Sequence, residues 1–228
     1  MHIGILQCGH TSGEVAARHG DFDGMFEGLF DQHGLTFSSY DVENMTFPSS
    51  VTTCDGWLLT GSKHGAYEDH AFIPPLETFI RDAYAAGVPQ VGICFGHQIM
   101  AQAMGGQVIK HTGGWGLGRT VYRMGDRDVA LNAWHQDQVV TRPDTAQVFA
   151  TSDFCENAAL VYGKRMLSFQ PHPEFSPQVV ETYVATRRGT ADYEADRMDA
   201  AAGAAAQPVD QAPVAALIAA FFKDAQNG

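Results

Sequence analysis

The 228-residue sequence predicts an α/β fold, in which a central, mostly parallel sheet is flanked by helices and carries an appended antiparallel hairpin region. Two observations lead to this prediction. Short β-rich segments alternate with longer amphipathic segments in the first half of the chain, an order typical of parallel sheets covered on both faces. From Val108 onward, short strands follow one another with turns between them, which is typical of antiparallel hairpins.

Strands and helices alternate along the first half of the chain. The candidate parallel strands are His2–Cys8, Phe37–Val42, Gly56–Thr60 and Gln90–Ile93. Apolar side chains at helical spacing, each run followed by a glycine, predict three helices: Phe22–His33, Pro74–Ala86 and about His97–Met104. Between the first strand and the first helix, Gly9, Thr11 and Gly13 are typical of a turn.

Short strands and then helices make up the second half of the chain. The expected antiparallel strands are Val108–Lys110, Arg119–Met124, Val139–Val140, Gln147–Thr151, Ala159–Tyr162 and Met166–Phe169. The alanine-rich segment Ala200–Ala206 and an amphipathic segment after Pro208 and Pro213 predict helices. We expect the last helix to pack on the body of the protein through one apolar face: Val214, Leu217, Ile218, Phe221 and Phe222.

Composition excludes several classes of partner. Lys and Arg number 14 against 26 Asp and Glu, which gives a formal charge of -12, and no basic cluster is present. We therefore expect neither nucleic acid nor a membrane as a partner. The N-terminus lacks the pattern of a secretion signal, no apolar run approaches the ~20 residues of a membrane span, and the four cysteines are scattered. These features favour a cytoplasmic protein with reduced thiols.

The segment Gly92–Gly96 (GICFG) places Cys94 between a predicted strand and a predicted helix. Glycines two residues before and after leave room for a tight turn, as G-x-S-x-G does in α/β-hydrolases. The N-terminus of the helix would stabilise a thiolate, and the N–H of Phe95 would point toward the same place as an oxyanion donor. The N–H of Gly61, after another strand, is a candidate second donor. An inert buried cysteine is the alternative interpretation.

A nucleophilic thiol needs a histidine to take its proton and a further group to orient that histidine. Among ten histidines, His172 differs because it follows an apolar strand and lies between Pro171 and Pro173. Proline holds the backbone extended, so the side chains of His172 and Glu174 should project to one side. A structural histidine is one alternative. A metal site is another, but this segment offers at most two ligands, and we expect no metal ion.

Together, the segments Gly92–Gln98 (GICFGHQ) and His172–Glu174 (HPE) resemble the class I glutamine amidotransferases. The similarity is greatest to stand-alone members related to the amidotransferase domain of GMP synthase and to plant γ-glutamyl peptidases. Asp55–Ser62 (DGWLLTGS) and Trp134–Val139 (WHQDQV) support the resemblance. It implies a flavodoxin-like fold, with residues 1–185 as the catalytic domain. Residues 186–228 match no motif of the family, and we expect them to form a helical extension packed on the same domain.

The resemblance implies catalytic roles by position. Cys94 would be the nucleophile, His172 the acid–base and Glu174 the group that orients it. The backbone N–H groups of Gly61 and Phe95 would form the oxyanion hole. The implied mechanism passes through a γ-glutamyl thioester and requires no metal or organic cofactor.

The resemblance also implies a substrate-binding region. Gln98 lies where the family contacts the glutamine substrate, and His135, Gln136 and Asp137 lie where these enzymes line the substrate pocket. His135 is equally compatible with a structural role in a loop.

Two activities fit this set of residues. One is hydrolysis of the γ-amide of glutamine to glutamate and ammonia. Because only about fifty residues follow the triad and no glycine-rich phosphate loop is present, a separate synthase subunit would have to accept the ammonia. The other is a self-contained γ-glutamyl peptidase or hydrolase acting on small γ-glutamyl compounds. A catalytically silent binding protein is a third alternative, which the intact Cys94, His172 and Glu174 disfavour.

Overall fold

The computed structural model describes residues 1–226, so the last two residues of the expected extension 186–228 lie outside the described range. Its strands are β1 (His2–Leu6), β2 (Thr36–Tyr40), β3 (Gly56–Leu59), β4 (Gln90–Ile93), β5 (Gln107–Lys110), β6 (Gly116–Met124), β7 (Arg127–His135), β8 (Asp137–Thr141), β9 (Gln147–Thr151), β10 (Ala159–Tyr162) and β11 (Met166–Phe169). Its α-helices are α1 (Gly13–His19), α2 (Phe22–Leu29), α3 (Ile73–Ala85), α4 (Phe95–Ala103), α5 (Pro177–Arg187), α6 (Ala195–Ala204) and α7 (Gln211–Gln226).

One large sheet organises the fold. Its strand order is β2-β1-β3-β4-β11-β10-β9-β6-β7, and β5 pairs separately with β8. The first five strands pair in parallel, and the pairs from β11 to β7 are antiparallel. The expected α/β fold with an appended antiparallel region is therefore confirmed. Strand β11 is the last strand in sequence, but it lies in the middle of the sheet beside β4. This pairing determines the position of the candidate site.

Both faces of the central parallel strands are buried. Successive side chains of a strand point to opposite faces, so Leu58 belongs to the apolar cluster that includes residues of α2, α5, α6 and α7, while Trp57 and Leu59 belong to the cluster that includes residues of α3 and α4. All residues of β3, β4 and β11 are buried, as expected for central strands covered by helices. No helix among residues 1–226 is long and apolar enough to cross a membrane.

The structure differs from the sequence-based expectation at two elements. Helix α1 was not expected. It begins at Gly13, the last residue of the expected turn, and because it buries only Val15, its sequence carries no apolar periodicity. Strand β7 was not expected at all. Its buried stretch from Ala130 to Ala133 contains no β-branched or aromatic residue, the types most typical of strands, and pairing with β6 along nine residues imposes the extended form.

The C-terminal helix α7 packs against the sheet. Val214, Ile218 and Phe222 are buried in the same apolar cluster as β1 and α2, and Leu217 and Phe221 are partly buried against that cluster. The ring of Phe222 lies directly against Gly56 at the start of β3, where a side chain would meet it at 2.9 Å.

Candidate active site

Cys94 occupies a sharp corner between β4 and α4. Its φ of 54° lies in the left-handed region, which few residues other than glycine adopt. The corner needs both flanking glycines, because a side chain at Gly92 would overlap the carbonyl of Gly96, and a side chain at Gly96 would overlap the carbonyl of Leu59. Strained backbone of this kind clusters at functional sites. The corner therefore has the geometry expected of a strand–turn–helix nucleophile.

The sheet brings Cys94 and His172 together. Strands β4 and β11 are parallel neighbours with Ile93 opposite Phe169, and the N–H of Cys94 donates to the carbonyl of Phe169 at 2.8 Å. Cys94 follows Ile93 directly, and His172 comes three residues after Phe169. Because parallel strands end at the same edge of a sheet, both side chains emerge at the carboxyl edge, the usual ligand-binding edge of α/β folds.

His172 is held by its backbone and by its ring. Its N–H donates to the carbonyl of Asn132 at 2.8 Å, and the side-chain amide of Asn132 donates to the carbonyl of Phe175 at 2.8 Å. The imidazole lies parallel to the ring of Phe175, with centroids 3.9 Å apart. These contacts fix both the position of the 172–175 turn and the plane of the imidazole.

Glu174 and Cys94 set the protonation of His172. Nδ1 of His172 lies 2.7 Å from Oε1 of Glu174, and both side chains are buried. Burial alone would lower the pKa of His172, but the charges of Glu174 and Cys94, together with hydrogen bonds to both side chains, raise it to about 10. Since Nδ1 pairs with Glu174, Nε2 is the nitrogen left for the sulfur of Cys94. The arrangement favours a protonated imidazole between the carboxyl group of Glu174 and the sulfur of Cys94.

The two expected oxyanion donors lie beside this group. Phe95 is the first residue of α4, so its N–H has no partner within the helix. The N–H of Gly96 donates to the carbonyl of Thr60 at 3.1 Å, which joins the corner to the loop that carries Gly61. A side chain at Gly61 would lie 3.1 Å from Cε1 of His172. Gly61 therefore borders the imidazole directly.

Gln98 is buried, and its side-chain amide is already bound to the protein. Nε2 donates to the backbone carbonyl of Asp137 at 2.9 Å and to Oε1 of Gln170 at 3.1 Å. The first bond joins helix α4 to the start of β8, and the second joins it to the residue that follows β11.

The side chains of residues 135–137 contact two different parts of the protein. His135 is buried, its Nδ1 lies 3.2 Å from the carbonyl of Asp137, and burial lowers its pKa to about 3, so the ring is neutral. Burial also raises the pKa of Asp137, whose Oδ1 accepts from the hydroxyl of Tyr67 at 3.2 Å. Gln136 instead donates to the carbonyl of His111 at 3.3 Å. The structure thus brings His135, Asp137 and Gln98 together, and directs Gln136 toward His111.

Three features of the site region were missed from the sequence. Phe175 directly follows His172–Glu174 and could have been noticed as an apolar neighbour of the imidazole. Asn132 gave no signal, because the strand that carries it was not expected. A cluster of His64, Glu68 and His70 in the loop after β3 was also missed, although its spacing (H-x3-E-x-H) is visible in the sequence.

Comparison with known proteins shows the family to which the chain belongs. The model of the glutamine amidotransferase class-I family matches residues 34–188. A glutamine amidotransferase-like protein of Schizosaccharomyces pombe is 28% identical, over 97% of this chain and 98% of that protein. Gamma-glutamyl peptidase 5 of Arabidopsis thaliana is 26% identical, over 73% of this chain and 72% of its own length. The GMP synthase of Mycobacterium bovis is 36% identical, but over only 51% of this chain and 23% of that enzyme.

Solved structures show the same fold. A glutamine amidotransferase from Methylobacillus flagellatus superposes with a TM-score of 0.77 at 20% identity, covering 98% of this chain and 94% of that one. A glutamine amidotransferase from Thermotoga maritima gives a TM-score of 0.77 at 19% identity, covering 100% and 99% of the two chains. Since the family model matches well over half of the sequence, the chain belongs to the class I glutamine amidotransferase family of enzymes.

Proposed function

We propose that this enzyme hydrolyses the γ-amide of glutamine, releasing ammonia and glutamate, with Cys94 as nucleophile, His172 as acid–base and Glu174 as its orienting group. One observation carries the proposal. A buried imidazole, bound to a carboxylate on one nitrogen and facing a cysteine with the other, lies at the carboxyl edge of the sheet beside two glycine-containing turns. This is the arrangement that nucleophilic thiol catalysis requires.

In the first step, the sulfur of Cys94 attacks the γ-carbonyl carbon of the substrate. The carbonyl π electrons move to oxygen, and the N–H groups of Gly61 and Phe95 donate to the resulting oxyanion. The oxyanion collapses as the C–N bond breaks, and protonated His172 gives its proton to the departing nitrogen. Ammonia leaves, and the γ-glutamyl group stays on Cys94 as a thioester.

In the second step, neutral His172 takes a proton from water, and the water oxygen attacks the thioester carbon. The C–S bond breaks, glutamate is released, and the thiolate of Cys94 returns beside protonated His172. Glu174 accepts a hydrogen bond from Nδ1 of the imidazole throughout, so that Nε2 always faces the reacting atoms. No step needs a metal or organic cofactor.

We further propose that Gln98, His135, Gln136 and Asp137 line the substrate pocket. The contacts of Gln98 favour an indirect role in substrate binding, since its amide donates to the backbone carbonyl of Asp137 and so positions residues 135–137. The neutral ring of His135 and the partly buried carboxyl of Asp137 are suited to polar recognition of a zwitterionic substrate. We assign catalysis to residues 1–185 and no catalytic group to the C-terminal helices.

A self-contained γ-glutamyl peptidase is the second candidate. The chain matches 72% of the length of a γ-glutamyl peptidase but only 23% to 30% of GMP synthases, whose names include glutamine hydrolysis. The match over most of a γ-glutamyl peptidase supports this second candidate. The peptidase proposal requires no ammonia-accepting subunit, whereas the amidotransferase proposal does. For both candidates we propose a cytoplasmic location, which the four free cysteines support.

The test measures glutamate release from glutamine and from a panel of γ-glutamyl dipeptides and γ-glutamyl amines. Wild type is compared with Cys94→Ala and with Cys54→Ala, a control that removes another buried thiol. We expect Cys94→Ala to lose activity on every substrate and Cys54→Ala to retain it. Cleavage of glutamine alone selects the amidotransferase, and cleavage of the wider panel selects the peptidase. Equal activity of wild type and Cys94→Ala would refute the assigned mechanism.

A further inference from the structure

The loop between β3 and α3 gathers histidine and carboxylate side chains that catalysis does not use. We propose that His64, Glu68 and His70 bind a divalent transition-metal ion such as Zn²⁺, with Glu43 orienting His64. One ligand atom from each of the three side chains lies within 4.8 Å of the others. The proposed site is independent of the proposed function, and it departs from the expectation, drawn from the sequence, that no metal is bound.

The separations of the ligand atoms are close to those of a metal site. Oε2 of Glu68 lies 2.8 Å from Nε2 of His70 and 3.9 Å from Nδ1 of His64. Ligands at Zn–N distances of about 2.0–2.1 Å in a tetrahedral site lie about 3.3 Å apart. The two measured distances bracket that value, and the three side chains are partly exposed, so small rotations can bring the atoms to an ion.

Glu43 supplies the outer contact that metal-binding histidines usually have. Its Oε1 lies 2.8 Å from Nε2 of His64, and its side chain is only 14% exposed. A histidine ligand commonly donates its second ring N–H to a carboxylate, which fixes the tautomer and increases the basicity of the other nitrogen. Donation from Nε2 to Glu43 leaves the lone pair of Nδ1 directed toward Glu68. Lys63 lies 3.4 Å from the same oxygen of Glu43 and moderates its charge.

The backbone of the loop is already turned to present these side chains. The N–H of Glu68 donates to the carbonyl of Gly65 at 3.0 Å, and the N–H of His70 donates to the carbonyl of Glu68 at 3.1 Å. The rings of His64 and His70 have centroids 4.0 Å apart. The three ligands therefore come from one short, hydrogen-bonded segment, which lowers the entropic cost of assembling the site.

The ligand types select the class of metal. Two imidazoles and one carboxylate suit Zn²⁺ and Co²⁺, whereas Mg²⁺ and Ca²⁺ prefer oxygen ligands. Solvent would complete the coordination, because Glu68 and His70 are partly exposed. The bound ion would tie together the loop that begins at Gly61 and includes Tyr67, whose hydroxyl donates to Asp137.

The test titrates EDTA-treated Cys94→Ala protein with Co²⁺ and Zn²⁺, followed by calorimetry and by the visible absorption of Co²⁺. The Cys94→Ala background removes the thiol that, together with the imidazole of His172, could also bind a transition-metal ion. We expect one equivalent to bind, with affinity falling at least about tenfold in His64→Ala and in His70→Ala, and about tenfold in Glu43→Gln. His33→Ala, which alters a histidine elsewhere, should bind like the parent.

Two outcomes would overturn the proposal. One is the absence of stoichiometric binding, which would mean that the cluster is an ionic network only. The other is stoichiometric binding that none of the three substitutions weakens, which would place the metal elsewhere. Circular dichroism checks that each variant is folded. If His64→Ala does not fold, Glu68→Gln, at an exposed side chain, provides the same comparison.

Discussion

The N–H of His172 donates to the backbone carbonyl of Asn132 at 2.8 Å, and this bond ties strand β7 to the turn that carries the proposed acid–base group. The side chain of the same asparagine donates to the carbonyl of Phe175, at the other end of that turn. Asn132 thus holds both ends of the segment without touching the reacting atoms. We interpret it as a positioning residue, since precise placement of an acid–base group can matter 10²-fold for rate.

We predict that Asn132→Ala lowers kcat more than it changes KM. The buried carbonyl of Phe175 loses its donor, which should cost about 1–3 kcal/mol in the free energy of unfolding and loosen the turn that carries His172. We expect kcat for glutamate release to fall about 10- to 100-fold. Steady-state kinetics and denaturant unfolding of the same preparation measure both effects.

Asn157→Ala is the matched control for this prediction. Asn157 is also buried and donates its side-chain amide to a backbone carbonyl, that of Val139, at 2.9 Å. Its loss should destabilise the protein by a similar amount with a smaller effect on kcat. If the two variants lose kcat equally, Asn132 acts only through global stability, and the positioning role is wrong.

A second prediction concerns Gly61. An alanine here would place its Cβ 3.1 Å from Cε1 of His172, a contact tight enough to displace the imidazole or the loop. We expect Gly61→Ala to lower kcat/KM by about 10- to 100-fold, because the imidazole and a proposed oxyanion donor shift relative to Cys94.

Gly28→Ala, in helix α2, controls for the change from glycine to alanine. Its added Cβ meets no atom within 4 Å, so the substitution should raise the free energy of unfolding by about 0.5–1 kcal/mol and leave activity unchanged. Full activity in Gly61→Ala would show that this loop does not take part in the reaction geometry.

The sequence predicted the cysteine corner and the histidine turn but not what holds them. The corner was visible because Gly92 and Gly96 are required by local backbone contacts. The neighbouring placement of β4 and β11 depends on pairing between residues some 75 positions apart, for which the sequence offers only the motif resemblance. Strand β7, which carries Asn132, could not be predicted from the sequence. Its extended form comes from pairing with β6 and not from the local propensity of its residues.

A third prediction concerns alkylation. Burial raises the pKa of Cys8, of Cys54 and of Cys155, the last to about 12, so these thiols should react slowly near pH 7. Cys94 lies at a helix N-terminus against protonated His172. We expect iodoacetamide to modify Cys94 first and to abolish activity in parallel. Peptide mass spectrometry over time measures the order; equal, slow modification of all four would favour the silent binding protein.

The variant Glu174→Gln extends this prediction. Removing the carboxylate removes a charge that raises the pKa of His172, so less of the imidazole is protonated near pH 7. The positive charge of His172 that stabilises the thiolate of Cys94 is then reduced, and alkylation of Cys94 should slow relative to wild type. The same variant should lose about 10²- to 10⁴-fold in kcat, because the imidazole is no longer oriented. An unchanged alkylation rate would mean that Glu174 does not act through His172.

The last prediction concerns acid stability and His97, which the mechanism does not use. This imidazole is fully buried with Nδ1 2.8 Å from the hydroxyl of Ser168, and burial, with a contribution from His135, lowers its pKa to about 3. In the unfolded chain it takes up a proton near pH 6.5, whereas in the folded protein it does so only near pH 3. Its contribution to stability is therefore complete above about pH 6.5 and is lost progressively as the pH falls toward 3.

We expect His97→Asn to be less stable than wild type at pH 7, because it leaves a cavity, but to lose less stability on acidification. Thermal unfolding of both proteins between pH 7 and pH 4 measures this difference, and parallel curves would contradict the assignment of a neutral, buried His97.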